Sequence, residues 1–136
     1  MNDTIELILR CSTFAVVGAS RNPEKYGHMV MADLLAAGKT VYPVNPTANE
    51  IDGVRCYPSL DAVPTTPDAA VFIVPPAATE LGLRKCVDLG IDYVWLQPGA
   101  EPENIAELLD HLGLHGVYGG PCVLVLLRTH GMIANS

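Results

Sequence analysis

Short unbroken apolar runs alternate with longer stretches of helical periodicity along this chain of 136 residues. Ile5 to Cys11 reads as a leading helix with Ile5, Leu7, Ile8 and Leu9 to pack. Thr13 to Val17 is a first strand, and a helix follows from about Gly27 to Ala37, with Gly38 as its stop. Thr40 to Val44 is a second strand, ended by Asn45-Pro46. Ile51 to Leu60 reads as irregular, with Gly53 and Pro58 as turn signals. Ala69 to Val74 is a third strand whose unbroken apolar run implies burial on both faces. A helix from about Ala78 to Leu89 stops at Gly90, and Tyr93 to Leu96 is a fourth strand. Pro102 to Leu112 is the next helix: proline suits a first turn, Glu101 and Glu103 suit the N-terminal dipole, and Gly113 ends it. Gly116 to Tyr118 is a fifth strand, and Val123 to Leu127 is a sixth strand or a short helix, which periodicity alone leaves open.

Strand-helix alternation of this kind predicts a single α/β domain over residues 1–136. It is a Rossmann-like, doubly wound, mainly parallel sheet of five to six strands with helices on both faces. Ligands of such sheets bind beyond the carboxyl ends of the strands, near the reversal of strand order. The segments just after the strands are Gly18-Ala19-Ser20, Asn45-Pro46, Pro75-Pro76, Gln97-Pro98-Gly99 and Gly119-Gly120-Pro121-Cys122. Glycine, proline and short polar residues dominate all five, as suits an edge where backbone approaches a ligand.

Composition narrows the ligand. The formal charge is −7 and no basic stripe is visible, which argues against nonspecific nucleic-acid binding and against anionic membranes. The first residues carry acid where a signal peptide carries base, and no apolar run approaches the roughly 20 residues that span a bilayer. Cys11, Cys56, Cys86 and Cys122 are widely spaced and form no CxxC pair, so reduced thiols in a cytoplasmic protein are expected.

The segment from Val16 to Gly27 concentrates the chemistry. A strand runs into Gly18-Ala19-Ser20, and a helix follows, an order that lets the backbone approach an anion and aims free N–H groups at it. Arg21, Lys25 and Tyr26 lie in the same loop. A dinucleotide site would show GxGxxG here, and an Asp or Glu after the second strand to hold ribose hydroxyls. Instead, Gly-Ala-Ser is followed by a six-residue insert before Gly27, the second strand ends in Asn45-Pro46, and the first acid, Glu50, comes five residues after Asn45. The alternative to a phosphate cradle is an ordinary strand-to-helix turn, which has no need of two cations.

Several separated motifs in order carry a specific resemblance. VVGASRNPEKYG, VYPVNP, the segment from Glu50 through Gly53 to Leu60, FIVP, WLQPG and GGPC together resemble the CoA-binding domain family, over about Thr13 to Cys122. The likeness extends to the small stand-alone CoA-binding proteins and to the N-terminal domain of α-type subunits of NDP-forming acyl-CoA synthetases. It implies coenzyme A or an acyl-CoA as the ligand, with Gly18, Ala19 and Ser20 on the pyrophosphate and Lys25, with Arg21, neutralising phosphate. It implies Asn45 and Pro46 lining the adenosine pocket. Val74, Pro75 and Pro76 would form an apolar wall near the adenine or the pantetheine arm, and Gln97 and Gly99 would meet the far arm. Many stand-alone members have Phe-Arg after the third strand, whereas Phe72 here precedes Ile73-Val74-Pro75, closer to the synthetase version.

The remaining constellations are weaker. His111 and His115 are four apart, but Gly113 intervenes and no third ligand is near, so no metal is expected. Cys122, at the binding edge, is expected to be a buried space-filler rather than a partner for the CoA thiol. Ser20 and His28 do not form a hydrolase pair, because no GxSxG elbow is present. No catalytic centre is evident. The phosphohistidine and ATP-grasp units of the synthetases belong to further domains, so the expected function is a CoA-binding module: a carrier, sensor or regulator. The alternatives are an NAD(P)-dependent enzyme on the same fold and the CoA-binding subunit of a split synthetase. The partners in view are a CoA-type small molecule, an ATP-grasp subunit or acyl-CoA enzyme, and a second copy in a homo-oligomer.

Overall fold

The computed structural model describes residues 2–133. Helix α1 (Asn2–Arg10) leads into β1 (Thr13–Val17), α2 (Tyr26–Ala36) and β2 (Thr40–Val44). A small hairpin follows, β3 (Glu50–Ile51) and β4 (Val54–Arg55), then a 3-10 turn at Leu60–Ala62. The chain continues through β5 (Ala69–Phe72), α3 (Pro76–Leu89), β6 (Tyr93–Leu96), α4 (Ile105–Leu112), β7 (His115–Val117) and α5 (Val123–Thr129). Five strands form one parallel sheet in the order β2-β1-β5-β6-β7. The chain first steps outward from β1 to β2, then crosses back to β5, so strand order reverses between β1 and β5. No helix among the described residues is long and apolar enough to cross a membrane.

Side-chain alternation explains the two cores. Phe14, Val16, Ala69, Val71, Trp95 and Val117 face α1, α2 and α5, which supply Ile8, Val30, Leu34 and Leu127. Ala15, Ala70, Phe72, Val94 and Leu96 face α3 and α4, which supply Leu83, Cys86 and Leu109. All four residues of β5 are buried, as expected for a central strand covered on both faces. Burial pushes the Cys86 thiol up to about 12, so it stays protonated and acts as a small apolar group. At the opposite edge from the candidate site, Asp68 accepts the N–H groups of Ser12 and Thr13 at 2.9 and 3.2 Å and joins the starts of β1 and β5.

Several elements depart from expectation or settle what it left open. Val123–Thr129 is a helix, and the main sheet has five strands. The buried Gln97 carboxamide oxygen accepts the Val123 N–H at 2.8 Å and caps the first turn of α5, while Arg128 of α5 pairs with Asp33 of α2. Helix α4 starts at Ile105 rather than Pro102, because Asn104 takes a left-handed conformation (φ 57°) and Glu101 is engaged elsewhere. The stretch expected to be irregular contains the β3–β4 hairpin, with Asp52 (φ 49°) and Gly53 (φ 80°) at its turn. Positive φ at both central residues is the twist a two-residue hairpin needs, and Asp-Gly supplies it. The third strand ends at Phe72 rather than Val74, and the fifth covers His115–Val117 rather than Gly116–Tyr118.

Helix α3 lies close on the sheet through Gly82, where an added Cβ would fall 2.3 Å from Cε1 of the fully buried Phe72. Gly82→Ala gains about 1 kcal/mol of helix propensity but overpacks a ring with nowhere to move, which costs about 1–3 kcal/mol. The expected outcome in a urea titration is a lower midpoint at unchanged slope, since the steric term outweighs the propensity term.

Candidate functional site at the carboxyl edge

The site begins where β1 and β5 diverge. The parallel ladder continues one step past the strands: Ile73 N–H donates to the Val17 carbonyl at 2.8 Å, Gly18 N–H to Val44 at 3.3 Å, and Gln97 N–H to Phe72 at 3.1 Å. Gly18, Ile73 and Gln97 are thereby carried in register onto one edge. Gly18 has φ 103°, and a Cβ there would lie 2.3 Å from the Ile73 carbonyl oxygen. A Cβ on Gly27, in the first turn of α2, would lie 1.9 Å from the Gly18 carbonyl oxygen. Only glycine fits at either position, so the turn is pressed between the end of β5 and the start of α2.

The loop between these glycines is held by its own polar groups. Ser20 Oγ accepts the Asn22 N–H at 3.1 Å, Asn22 Oδ1 accepts the Glu24 N–H at 3.0 Å, and the Lys25 N–H returns to the Asn22 carbonyl at 3.0 Å. Lys25 takes the N-cap position of α2 in an extended conformation, without a side-chain cap, and is exposed. The N–H groups of Ala19, Ser20, Arg21, Tyr26 and Gly27 have no hydrogen-bond acceptor among the described residues. Five free donors lie at or beside one helix N-terminus, where the helix dipole adds positive potential.

Two neighbours clamp this loop from the β2 side. Asn45 donates its amide N–H to the Ala19 carbonyl at 2.9 Å, and its Oδ1 accepts the Thr47 and Ala48 N–H groups, each at 2.9 Å. Pro46 is exposed beside it. The hairpin is tied down by Arg21 Nε donating to the Glu50 carbonyl at 3.1 Å, and by His28 and Asp52 at 2.7 Å. Beneath it lies Cys56, whose thiol is pushed up by burial against the opposing pull of Arg21.

On the β5–β6 side a cleft of about 310 Å3 opens, lined by Tyr26, Ile73, Gln97, Pro98 and Cys122. Tyr26 is 61% exposed at its rim. Val74 packs against Gly18, while Pro75 and Pro76 are exposed and start α3. The Gln97 amide is engaged at both ends: its nitrogen donates to Cys122 Sγ at 3.3 Å and its oxygen caps α5. Trp95 Nε1 donates to the Pro121 carbonyl at 3.1 Å. Glu101 joins the outer loops by accepting the Gly99 N–H at 2.7 Å and the Gly119 N–H at 3.1 Å.

The structure thus brings Gly18, Ala19, Ser20, Arg21, Lys25 and Tyr26 to one end of β1, with Asn45, Pro46, Val74 and Gln97 around them. Gly99 stands farther out on the Glu101 clamp. Cys122, expected to be a buried filler, is half-buried and lines the cleft. Ile73, Pro98 and Glu101 are absent from the residues that the sequence assigns to the ligand, although Pro98 falls in a segment expected at the ligand edge. Pro98 follows a strand end, which is its signal in the sequence, whereas Ile73 reads there as part of the third strand and Glu101 as the start of a helix. Among the described residues no cluster of His, Cys, Asp and Glu is placed to hold a metal ion.

Residues 12–128 match the CoA binding domain family. The chain belongs to that family. ADP-forming acetate–CoA ligase I of Archaeoglobus fulgidus is 39% identical to the domain over 125 residues, 85% of this chain and 18% of the ligase. The α subunit of ADP-forming acetate–CoA ligase II of Pyrococcus furiosus is 29% identical over 127 residues, 85% of this chain and 27% of that subunit. The CoA-binding domain described here therefore spans about a quarter or less of the length of these two ligase chains. A hypothetical protein of Pyrococcus horikoshii superposes with a TM-score of 0.87 at 32% identity, covering 95% of this chain and 91% of that one.

Asn45 tests how the CoA-binding domain holds its loops together. Asn45→Asp keeps the oxygen that accepts Thr47 and Ala48 but sets a second oxygen against the Ala19 carbonyl, where an N–H now donates. The expected loss is about 1–2 kcal/mol, read as a lower urea midpoint.

Proposed function

We propose that this chain binds coenzyme A or an acyl-CoA at the carboxyl edge of its sheet, as a carrier, sensor or regulator. Gly18, Ala19 and Ser20 with the first turn of α2 take the pyrophosphate. Lys25 adds charge from the N-cap, and the pantetheine arm enters the cleft past Tyr26 and Ile73 toward Gln97 and Cys122. Val74, Pro75 and Pro76 flank that path, while Asn45, Pro46 and the hairpin bound the adenosine end. The observation that carries this reading is the set of free N–H donors beside an apolar cleft. The donors suit two phosphates, and the cleft suits a long, weakly polar arm. Family membership supports the same ligand.

The absence of an acid after β2 favours CoA over NAD. Asn45 stands where an acid would hold ribose hydroxyls, and its amide is engaged with Ala19. Calorimetric titration with CoA, acetyl-CoA, NAD and NADP is expected to show CoA binding in the micromolar range. Binding of NAD without a response to CoA would overturn the reading. Lys25→Ala is expected to weaken CoA binding roughly two- to fivefold at low ionic strength, and less at high salt, because an exposed charge acts through a screened field. Equal affinity at low salt would remove Lys25 from the phosphate site.

The likeness to a ligase α subunit favours a second reading, in which a separate ATP-dependent chain works with this one. Acyl-CoA formation on mixing with an ATP-grasp chain, and not with either protein alone, is the outcome expected on that reading. No product across short-chain acids would count against it.

A further inference from the structure

The two cations of the loop are held differently, and the difference points to separate phosphates. Lys25 sits at the α2 N-cap, adjoining Tyr26 on the rim of the cleft. Arg21 is exposed but anchored: its Nε donates to the Glu50 carbonyl of β3, on the side of the loop that faces the end of β2. Among the described residues its Nη1 and Nη2 groups have no acceptor and no carboxylate partner. A guanidinium fixed by one edge presents its remaining N–H groups as a fork of set direction. That geometry favours a doubly charged, multi-oxygen group such as a phosphomonoester.

Its place in the sheet suggests where that group belongs on a ligand. In a doubly wound fold the ribose of a bound nucleotide lies near the end of β2, where an acid holds free hydroxyls or a nearby arginine accommodates a ribose phosphate. Here the end of β2 carries Asn45, with its amide committed to Ala19, Thr47 and Ala48. Two charged donors lie on that side: Arg21, attached to the hairpin that begins at Glu50, and Arg55 of β4, whose guanidinium lies over the Tyr57 ring; of the two, Arg21 is the one that a hydrogen bond fixes in direction. The pyrophosphate has its own donors in the free N–H groups of the turn and α2. Net charge of the chain is −7, so a terminal phosphate carrying about −1.5 to −2 needs a local cation to be tolerated.

We propose that Arg21 is a specificity-determining residue for a phosphomonoester on the ligand's ribose, the 3′-phosphate when the ligand is CoA. This rests on the CoA reading for the identity of the ligand, while the recognised chemistry, a ribose phosphate, is shared with NADP. Charge-assisted hydrogen bonds from an anchored fork correspond to about tenfold or more in affinity.

The test is calorimetric titration of wild type, Arg21→Gln and Arg21→Lys with CoA, 3′-dephospho-CoA, NADP and NAD. Wild type is expected to prefer CoA over dephospho-CoA by about tenfold or more. Arg21→Gln is expected to reduce that ratio to about twofold or less, and Arg21→Lys to give an intermediate value, since it keeps the charge and loses the anchored fork. A purely structural role for Arg21 would weaken CoA and dephospho-CoA equally and leave the ratio standing, which overturns the proposal. Equal wild-type affinity for the two also overturns it, while leaving the CoA reading intact. If neither CoA form binds but NADP is preferred over NAD in an Arg21-dependent way, the ribose-phosphate assignment holds and the CoA reading falls. No binding of any of the four overturns both.

Discussion

The contact on which the binding edge depends is the stacking of three backbone segments at the reversal of strand order. The Gly18 turn rests on the Ile73 carbonyl, and the first turn of α2 rests on the Gly18 carbonyl through Gly27. Neither interval has room for a methyl group. This double approach lowers α2 onto the end of β1, so that its unpaired N–H groups and those of the turn lie together. Without it, the helix would start farther from the sheet and from the turn after β1.

Polar side chains build the rest of the edge by joining loops to one another. Asn45 joins the β1–α2 loop to the segment after β2. Gln97 joins β6 to α5, and Glu101 joins the loops after β6 and β7. Buried or half-buried polar groups need partners, and here they find them mostly in the backbone of neighbouring segments, with the Gln97 amide nitrogen donating to Cys122 Sγ. The cleft is therefore framed by hydrogen-bonded loops but lined mostly by apolar and aromatic groups. The same economy explains why Asn45, which looks like a ligand contact in sequence, has its amide turned to the protein's own loops.

Much of the fold was legible because its strands are short, continuous and apolar, and because glycine marks the ends of α2, α3 and α4. The family was legible for a different reason: six motifs in order constrain far more than a single glycine loop. The sequence leaves Val123 to Leu127 open between strand and helix, and the departures at α4 and at the hairpin have separate causes. Val123 to Leu127 carries no period that separates strand from helix, and its helical state follows from Gln97, which lies 26 residues earlier. Helix α4 looked longer because Glu101 was read as a dipole partner, whereas it is held by Gly99 and Gly119. The hairpin had a local signal in Asp52-Gly53 between Ile51 and Val54, which a reading of Gly53 alone did not use.

By itself, the sequence determined the alternation of strands and helices, the doubly wound class and the family. These are local or ordered along the chain, so spacing and residue type carry them. Only the tertiary structure decided what Gly18 and Gly27 press against, that Cys122 lines a cleft, that the Asn45 and Gln97 amides are engaged within the protein, and that Arg21 is anchored to the hairpin. Each of these joins residues that are distant in sequence, and which groups meet depends on the strand order and the close approach of loops at the sheet edge.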